Sequence, residues 1–160
     1  KNLFSFLNQF SIQFNKEIVI SLHPDKLKFF NKEANLIKKN NRITISKKRT
    51  VDLIGNSEIV IFAFSSAVLN AVILKKKILG LRSKFFGTHF LKIHKKYVNE
   101  FKFPYFDIDK KDIDLSKSKI FLKFKNSIKT YNNYIKKRLI CDNSQASYMQ
   151  IPKIIRRNLF

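Results

Sequence analysis

Short apolar stretches alternate with amphipathic stretches of helical spacing along most of the chain, and this alternation limits the fold more than any other feature. Strands are predicted at residues 17–22, 42–46, 58–64, 77–81 and 105–108, separated by predicted helices. Strands that are apolar on both faces and alternate with helices are typical of a parallel sheet covered on both sides. We therefore predict an α/β fold over residues 1–160, a Rossmann-like parallel sheet with helices on both faces and the strand at 58–64 in its centre.

The charge balance of the chain is strongly basic. Lys and Arg number 33 against 11 Asp and Glu, which gives a formal net charge of +22. Such a charge favours anionic partners such as nucleic acid, acidic lipid headgroups or anionic substrates. Most of these basic residues are Lys, and Asn, Ile and Phe are also abundant, so an AT-rich coding sequence is an equally good explanation of the charge.

Cysteine content and hydropathy bear on the compartment. Cys141 is the one cysteine, so an internal disulfide is excluded and a reducing compartment is favoured. The longest apolar stretch, residues 59–74, is interrupted by Ser65, Ser66 and Asn70, and falls short of the roughly 18 to 20 apolar residues of a membrane span. We expect a cytoplasmic protein, with peripheral attachment to the inner membrane as a further expectation.

Two loops follow predicted strands and carry residues suited to phosphate binding. His23-Pro24 comes after the first strand, where the proline biases His23 to an extended conformation. Ser65-Ser66 lies between the strand at 58–64 and a predicted helix that Ser65 would cap. In an open α/β sheet, ligands bind at the carboxyl ends of the strands, and free N–H groups at a helix start favour phosphate. Each loop alone also fits a plain turn or cap.

Three sequence blocks resemble a known family. They are IVISLHP at residues 18–24, DLIGNSEIVIFAFSSAVLNA at residues 52–71 and KKILG at residues 76–80. The blocks are similar to the C-terminal half of GT-B glycosyltransferases of the capsule-polysaccharide, sialyl- and polysialyltransferase types and of the related teichoic-acid polymerases. The resemblance covers about residues 17 to 81, and residues 82–160 match only in outline.

The resemblance implies a function and a set of site residues. The chain would be the nucleotide-sugar-binding domain of a glycosyltransferase, with CMP-sugar as the favoured donor and a surface glycan as the acceptor. His23 would be the catalytic residue that assists departure of the nucleotide phosphate, and Ser65 and Ser66 would bind that phosphate. Pro24 is a further candidate for donor contact. Arg82 is another, because it follows the predicted strand at 77–81, although its position fits an ordinary surface arginine equally well. No bound metal and no cofactor are expected, as in most GT-B enzymes.

The catalytic base of such transferases belongs to an N-terminal acceptor domain, of which this sequence carries no copy. The chain begins at Lys1 without an initiator Met, so we expect such a domain to precede it. Asp107 and Asp109 have the spacing of a DxD metal motif, but their polar surroundings favour solvated loop acids. His89 and His94 lie five residues apart among lysines, which predicts a solvated basic helix face and not a metal site.

Two functions of other classes compete with the transferase. One is nucleic-acid binding driven by the positive charge, which would require basic residues on one face and aromatic rings free to stack. The lysines are instead spread over every element, and the phenylalanines recur at core spacing. The other is a non-catalytic α/β domain held at a membrane surface by lysine-rich helices.

Overall fold

The computed structural model describes residues 2–21, 41–63, 65–110 and 113–139. Five helices and five strands lie in these ranges. The helices are α1 (Asn2–Phe14), α2 (Thr50–Asn56), α3 (Val68–Ile73), α4 (Thr88–Phe101) and α5 (Lys117–Leu139). The strands are β1 (Ile18–Ser21), β2 (Ile43–Ser46), β3 (Ile59–Phe62), β4 (Lys77–Arg82) and β5 (Tyr105–Asp107), and a 3₁₀ turn spans Lys84–Phe86. The predicted helix at 25–40 and the stretch 144–157 lie outside the described residues.

All strand pairs are parallel. β1 pairs with β2, and β3, β4 and β5 form a second sheet in that order. An ion-pair network joins the two sheets at the start of their strands, because Glu58 before β3 contacts both Lys16 before β1 and Lys77 at the start of β4. Parallel strands alternating with helices are the predicted Rossmann-like α/β fold, which is confirmed.

One face of the strands packs against α1 and the first half of α5. The phenylalanines of α1 at positions 6, 10 and 14 recur at helical spacing, so they lie on one side of the helix and are buried. They share a hydrophobic cluster with Leu79 and Leu81 of β4 and with Ile120 and Phe124 of α5. Isoleucines from β1, β2 and β3 pack on the same cluster, so both sheets contribute to one core.

The opposite face is covered by α2, α3, α4 and the second half of α5. Its cluster contains Ile54, Val68, Val72, Phe101 and Tyr131, packed against Phe62 and Ile78 of the sheet. Strand residues alternate between the two clusters because successive side chains of a strand point to opposite faces. α5 therefore serves both faces, and its hydroxyls at Ser127 and Thr130 donate to the carbonyls of Lys102 and Phe101 just before β5.

The most buried strand is β4 and not the stretch at 58–64. Residues 78–81 of β4 are all buried, whereas three of the four β3 residues are only half-buried. β4 is bonded to a strand on each side, while β3 is the outer strand of its three-stranded sheet. The prediction of a central strand at 58–64 is therefore wrong. An apolar sequence indicates that both faces of a strand are buried, but it does not show how many other strands it is hydrogen-bonded to.

Candidate functional site

The carboxyl ends of the strands form the edge at which the predicted site residues were expected. The amino ends of β1, β3 and β4 lie together at the Glu58 ion-pair network, so their carboxyl ends share the opposite edge. Phe62 is in register with Gly80, which places the Ser65-Ser66 turn and Arg82 just beyond paired residues of adjacent strands. Asp107 of β5 is the register partner of Arg82. We call this the carboxyl edge.

Ser65 and Ser66 form an exposed turn between β3 and α3. The Ser65 hydroxyl accepts a hydrogen bond from the backbone N–H of Ala67 at 3.2 Å. The N–H groups of Val68, Leu69 and Asn70 donate to the carbonyls of residues 65, 66 and 67. The prediction that Ser65 caps a helix is wrong in this detail, because α3 begins at Val68 after Ala67 and has no side-chain cap.

That turn changes how a phosphate would be held there. The four N–H groups from Ala67 to Asn70 already have acceptors within the turn, so they are not the open donors that a phosphate cradle needs. α3 has only six residues, which limits its dipole. The exposed hydroxyls of Ser65 and Ser66 are therefore the groups of this turn that face solvent at the carboxyl edge.

Arg82 is the last residue of β4 and presents a cation at the same edge. Its side chain is 52% exposed, and its Nε lies 3.8 Å from Oδ2 of Asp107. That separation allows electrostatic attraction but is too long for a hydrogen bond. The guanidinium therefore keeps donors that can reach a phosphate or carboxylate in bidentate geometry.

The two acids with DxD spacing hold loops together. Asp109 accepts hydrogen bonds from the Ser83 hydroxyl at 2.9 Å and from the Lys84 N–H at 2.8 Å. Asp107 accepts the N–H of Asp109 at 3.1 Å. The described residues contain no group of three or more His, Cys, Asp or Glu side chains arranged to hold a metal ion. The sequence missed the link from Ser83 to Asp109, because its partners are 26 residues apart.

His23 and Pro24 lie outside the described residues, as does Cys141. β1 ends at Ser21, two residues before His23 in the chain. The Ser21 hydroxyl lies 2.7 Å from the Thr50 hydroxyl, which ties the carboxyl end of β1 to the start of α2. Thr50 is the first residue of α2, and Arg49 is the residue that precedes the helix as its N-cap.

The two histidines of α4 have opposite environments. His89 is exposed, as predicted for a basic helix face. His94 is only 3% exposed, so the prediction of a solvated histidine is wrong at this position. Its ring stacks on Phe62 at 5.5 Å between ring centroids and meets the Tyr105 ring edge-on at 5.7 Å. Phe90, one turn before His94, is exposed, so the aromatic spacing of α4 did not mark His94 as buried.

Comparisons with models of known protein families, with curated proteins and with solved structures give no match for this chain. Among the described residues, no helix has the length and apolar character to cross a membrane. A groove of about 510 Å³ lies between α1 and residues 113–116, and its described lining does not include Ser65, Ser66 or Arg82.

Proposed function

We propose that this chain is the nucleotide-sugar-binding domain of a glycosyltransferase, with the donor phosphate at the carboxyl edge. The observation that carries the proposal is the presence of two exposed hydroxyls and an exposed guanidinium beyond the paired strands β3 and β4. Ligands of open parallel sheets bind at this edge. The sequence resemblance to GT-B transferases assigns Ser65 and Ser66 to the donor phosphate.

The binding chemistry follows from the groups at the edge. Arg82 supplies a charge-assisted contact to a phosphate oxygen, and Ser66 or Ser65 supplies a neutral hydroxyl donor. Charge-assisted hydrogen bonds are about twice as strong as neutral ones, so Arg82 contributes more to affinity than either serine. CMP-linked sugar is the donor class that the resemblance favours, with a surface glycan as the acceptor.

The proposed chemistry is transfer of the sugar from the nucleotide phosphate to an acceptor hydroxyl. When the glycosyl–phosphate bond breaks, negative charge develops on the departing phosphate. Arg82 and the serine hydroxyls stabilise that charge. His23 either donates a proton to the departing phosphate or stabilises it as an imidazolium cation. On this proposal, the site that binds the acceptor and the base that activates it lie in a further domain.

Calorimetric titration with CMP tests the binding part of the proposal. Arg82→Ala should weaken binding by about 10- to 100-fold, since charge-assisted hydrogen bonds contribute about 1.5–3 kcal/mol. Ser66→Ala should weaken it by about 2- to 10-fold, as expected for a neutral hydrogen bond of about 0.5–1.5 kcal/mol.

Two controls separate a specific site from general charge attraction. Lys77→Ala removes one positive charge from the other end of β4, and Ser57→Ala removes a hydroxyl just before β3. Both variants should bind CMP as the unmodified chain does. Equal losses for Lys77→Ala and Arg82→Ala would contradict the proposal and favour a charge-driven partner such as nucleic acid or an anionic membrane.

A further inference from the structure

A buried histidine with one unpaired nitrogen joins α4 to the sheet. His94 is 3% exposed, and its Nε2 has no hydrogen-bond partner among the residues that the structure describes. The ring lies between Phe62 of β3 and Tyr105 of β5, against which it makes aromatic contacts. A buried polar atom without a partner costs free energy, so its retention in a packed core calls for a physical account.

The ring occupies space that β4 leaves open at Gly80. A Cβ atom at position 80 would lie 2.7 Å from Nε2 of His94, which is closer than carbon and nitrogen atoms pack. It would also lie 3.1 Å from Cβ of Tyr105 and 3.2 Å from the Phe103 ring. The glycine and the imidazole therefore fit together as a pair.

A neutral ring suits this place and a charged ring does not. A neutral imidazole with its hydrogen on Nδ1 leaves only a lone pair at Nε2, whereas an imidazolium would place an N–H donor against Gly80 with no acceptor. The titratable or charged groups that meet the ring are Tyr105 of β5, which contacts it edge-on, and Arg82 of β4, whose positive charge acts on it. On α4 itself, the neighbouring Lys92, Lys95 and Lys96 are exposed. Phe62 is the contact from β3 and carries no charge.

We propose that His94 is a pH-sensitive lock that holds α4 on the sheet while its ring is neutral and releases it on protonation. The charged ring needs water or an acceptor, and both lie outside the gap over Gly80. When the charged ring leaves that gap, the first half of α4 separates from β3 and β5, and Phe62 and Phe103 become exposed. This inference does not depend on the proposed transferase function.

The direction of the pH effect follows from the environment of the ring. Burial lowers the pKa of His94 below its ordinary value, and the positive charge of Arg82 lowers that pKa further. The unfolded chain therefore binds a proton at a higher pH than the folded chain does. The stability contributed by the neutral ring is complete above about pH 6.5 and is lost as pH falls through the folded-state pKa of His94.

Urea unfolding of the chain between pH 7.5 and pH 5 tests the lock. The folding equilibrium constant should fall with pH, by up to about tenfold per pH unit, which is the limit for one extra proton on the unfolded state. His94→Phe keeps an aromatic ring in the gap and should remove this dependence. His89→Phe, on the exposed side of the same helix, should leave the dependence in place.

A second measurement uses the unmodified protein and so avoids a variant that fails to fold. Nuclear magnetic resonance of the ring nitrogens should show His94 as the neutral form with its hydrogen on Nδ1 at pH 7. Amide exchange in the first half of α4 should accelerate as pH falls below 6.5, beyond the intrinsic pH dependence of exchange. A folded-state pKa of His94 at or above 6.5, or the same pH dependence in His94→Phe, would overturn the proposal.

Discussion

The two edges of the sheet use polar residues in different ways. At the edge where the strands begin, Glu58 contacts Lys16 at 2.6 Å and Lys77 at 3.0 Å, so three charged side chains are joined. At the carboxyl edge, Ser65, Ser66 and Arg82 are exposed, and Nε of Arg82 lies 3.8 Å from the Asp107 carboxylate. Strands β3 and β4 thus begin at charges that pair with each other and end at donors that are exposed to solvent.

The long helix α5 adds to this difference. Its hydroxyls donate to the backbone carbonyls that precede β5. At the edge where the strands begin, which we call the first edge, Nζ of Lys77 lies 4.9 Å from the centre of the Phe121 ring of α5. Contacts of this kind satisfy backbone groups and fix strand positions, which is a structural task. Exposed donors at the carboxyl edge contribute little to folding, so substitutions there should alter ligand binding and leave stability unchanged.

The largest expected effect concerns turnover. In an intact transferase that contains this domain, His23→Ala should lower kcat by about 10²- to 10⁴-fold while changing donor affinity little, because its contact strengthens only in the transition state. Ser66→Ala should change affinity more than kcat, because its hydroxyl meets the phosphate before and during reaction. Steady-state kinetics with circular dichroism as the folding check measures both.

His89→Ala is the matched control for that prediction, because His89 is exposed on α4. Its kcat should equal that of the unmodified enzyme. An unchanged kcat for a folded His23→Ala enzyme would remove His23 from the catalytic machinery and leave a loop histidine before a proline.

A smaller effect is expected where the sheet meets α4. Gly80→Ala should destabilise the fold by about 1–3 kcal/mol, because the new methyl group meets His94, Tyr105 and Phe103 at once. Gly55→Ala should instead stabilise it by about 0.5–1 kcal/mol, since Gly55 lies in α2 and no atom of the described residues is within 4 Å of its Cβ position. Urea unfolding at pH 7.5 measures both changes in the free energy of unfolding, and two changes of the same sign would contradict the packing described.

The next effect concerns a buried tyrosine hydroxyl of α5. The Tyr131 hydroxyl of α5 is buried and has no hydrogen-bond partner within the described part of the chain, and burial raises the pKa of Tyr131 above its ordinary value. Tyr131→Phe removes the unpaired hydroxyl and keeps the ring on Phe101, so the free energy of unfolding should rise by about 1 kcal/mol. A loss of stability in thermal unfolding would mean that the hydroxyl has a partner in solution.

The smallest effect concerns the ion pairs of the first edge. Glu58→Gln should lower stability at pH 7 by less than about 1 kcal/mol, because exposed ion pairs contribute little. Hydrogen bonds from Lys16 and then Lys77 lower the pKa of the Glu58 carboxyl below its ordinary value. Its contribution is therefore complete above about pH 4.5 and is lost as pH falls through its folded-state pKa.

In acid unfolding, the stability of Glu58→Gln should accordingly fall less steeply as pH drops below 4.5 than the stability of the unmodified chain does. Glu17→Gln, an exposed residue just before β1, serves as the control and should keep the steeper dependence. CMP affinity should be the same in all three proteins. A change in affinity for Glu58→Gln would show that the two edges of the sheet are coupled.

Much of the fold was predictable from local pattern. The apolar stretches at 18–21 and 59–62 are strands that lie within the predicted ranges. Arg82 was correctly expected at the end of its strand. These features depend on periodicity over a few residues, which the sequence records directly.

Hydrogen-bond and ion-pair partners were not predictable in the same way. The Ser65 hydroxyl binds the Ala67 N–H in a turn, although a serine at this point of the sequence looks like a helix cap. Ser and Thr hydroxyls have several local backbone partners of similar energy, and the surrounding chain decides among them. The link from Ser83 to Asp109 and the ion pairs of Glu58 likewise require the strands to be assembled first.

The sequence by itself determined the class of fold, the elements and the residues that follow each strand. Tertiary structure alone decided which strand is central and that His94 is buried while His89 is exposed. The physical reason is that burial of a polar ring depends on the space opposite it. That space is supplied by Gly80, 14 positions away on β4, and a pattern within one helix does not report it.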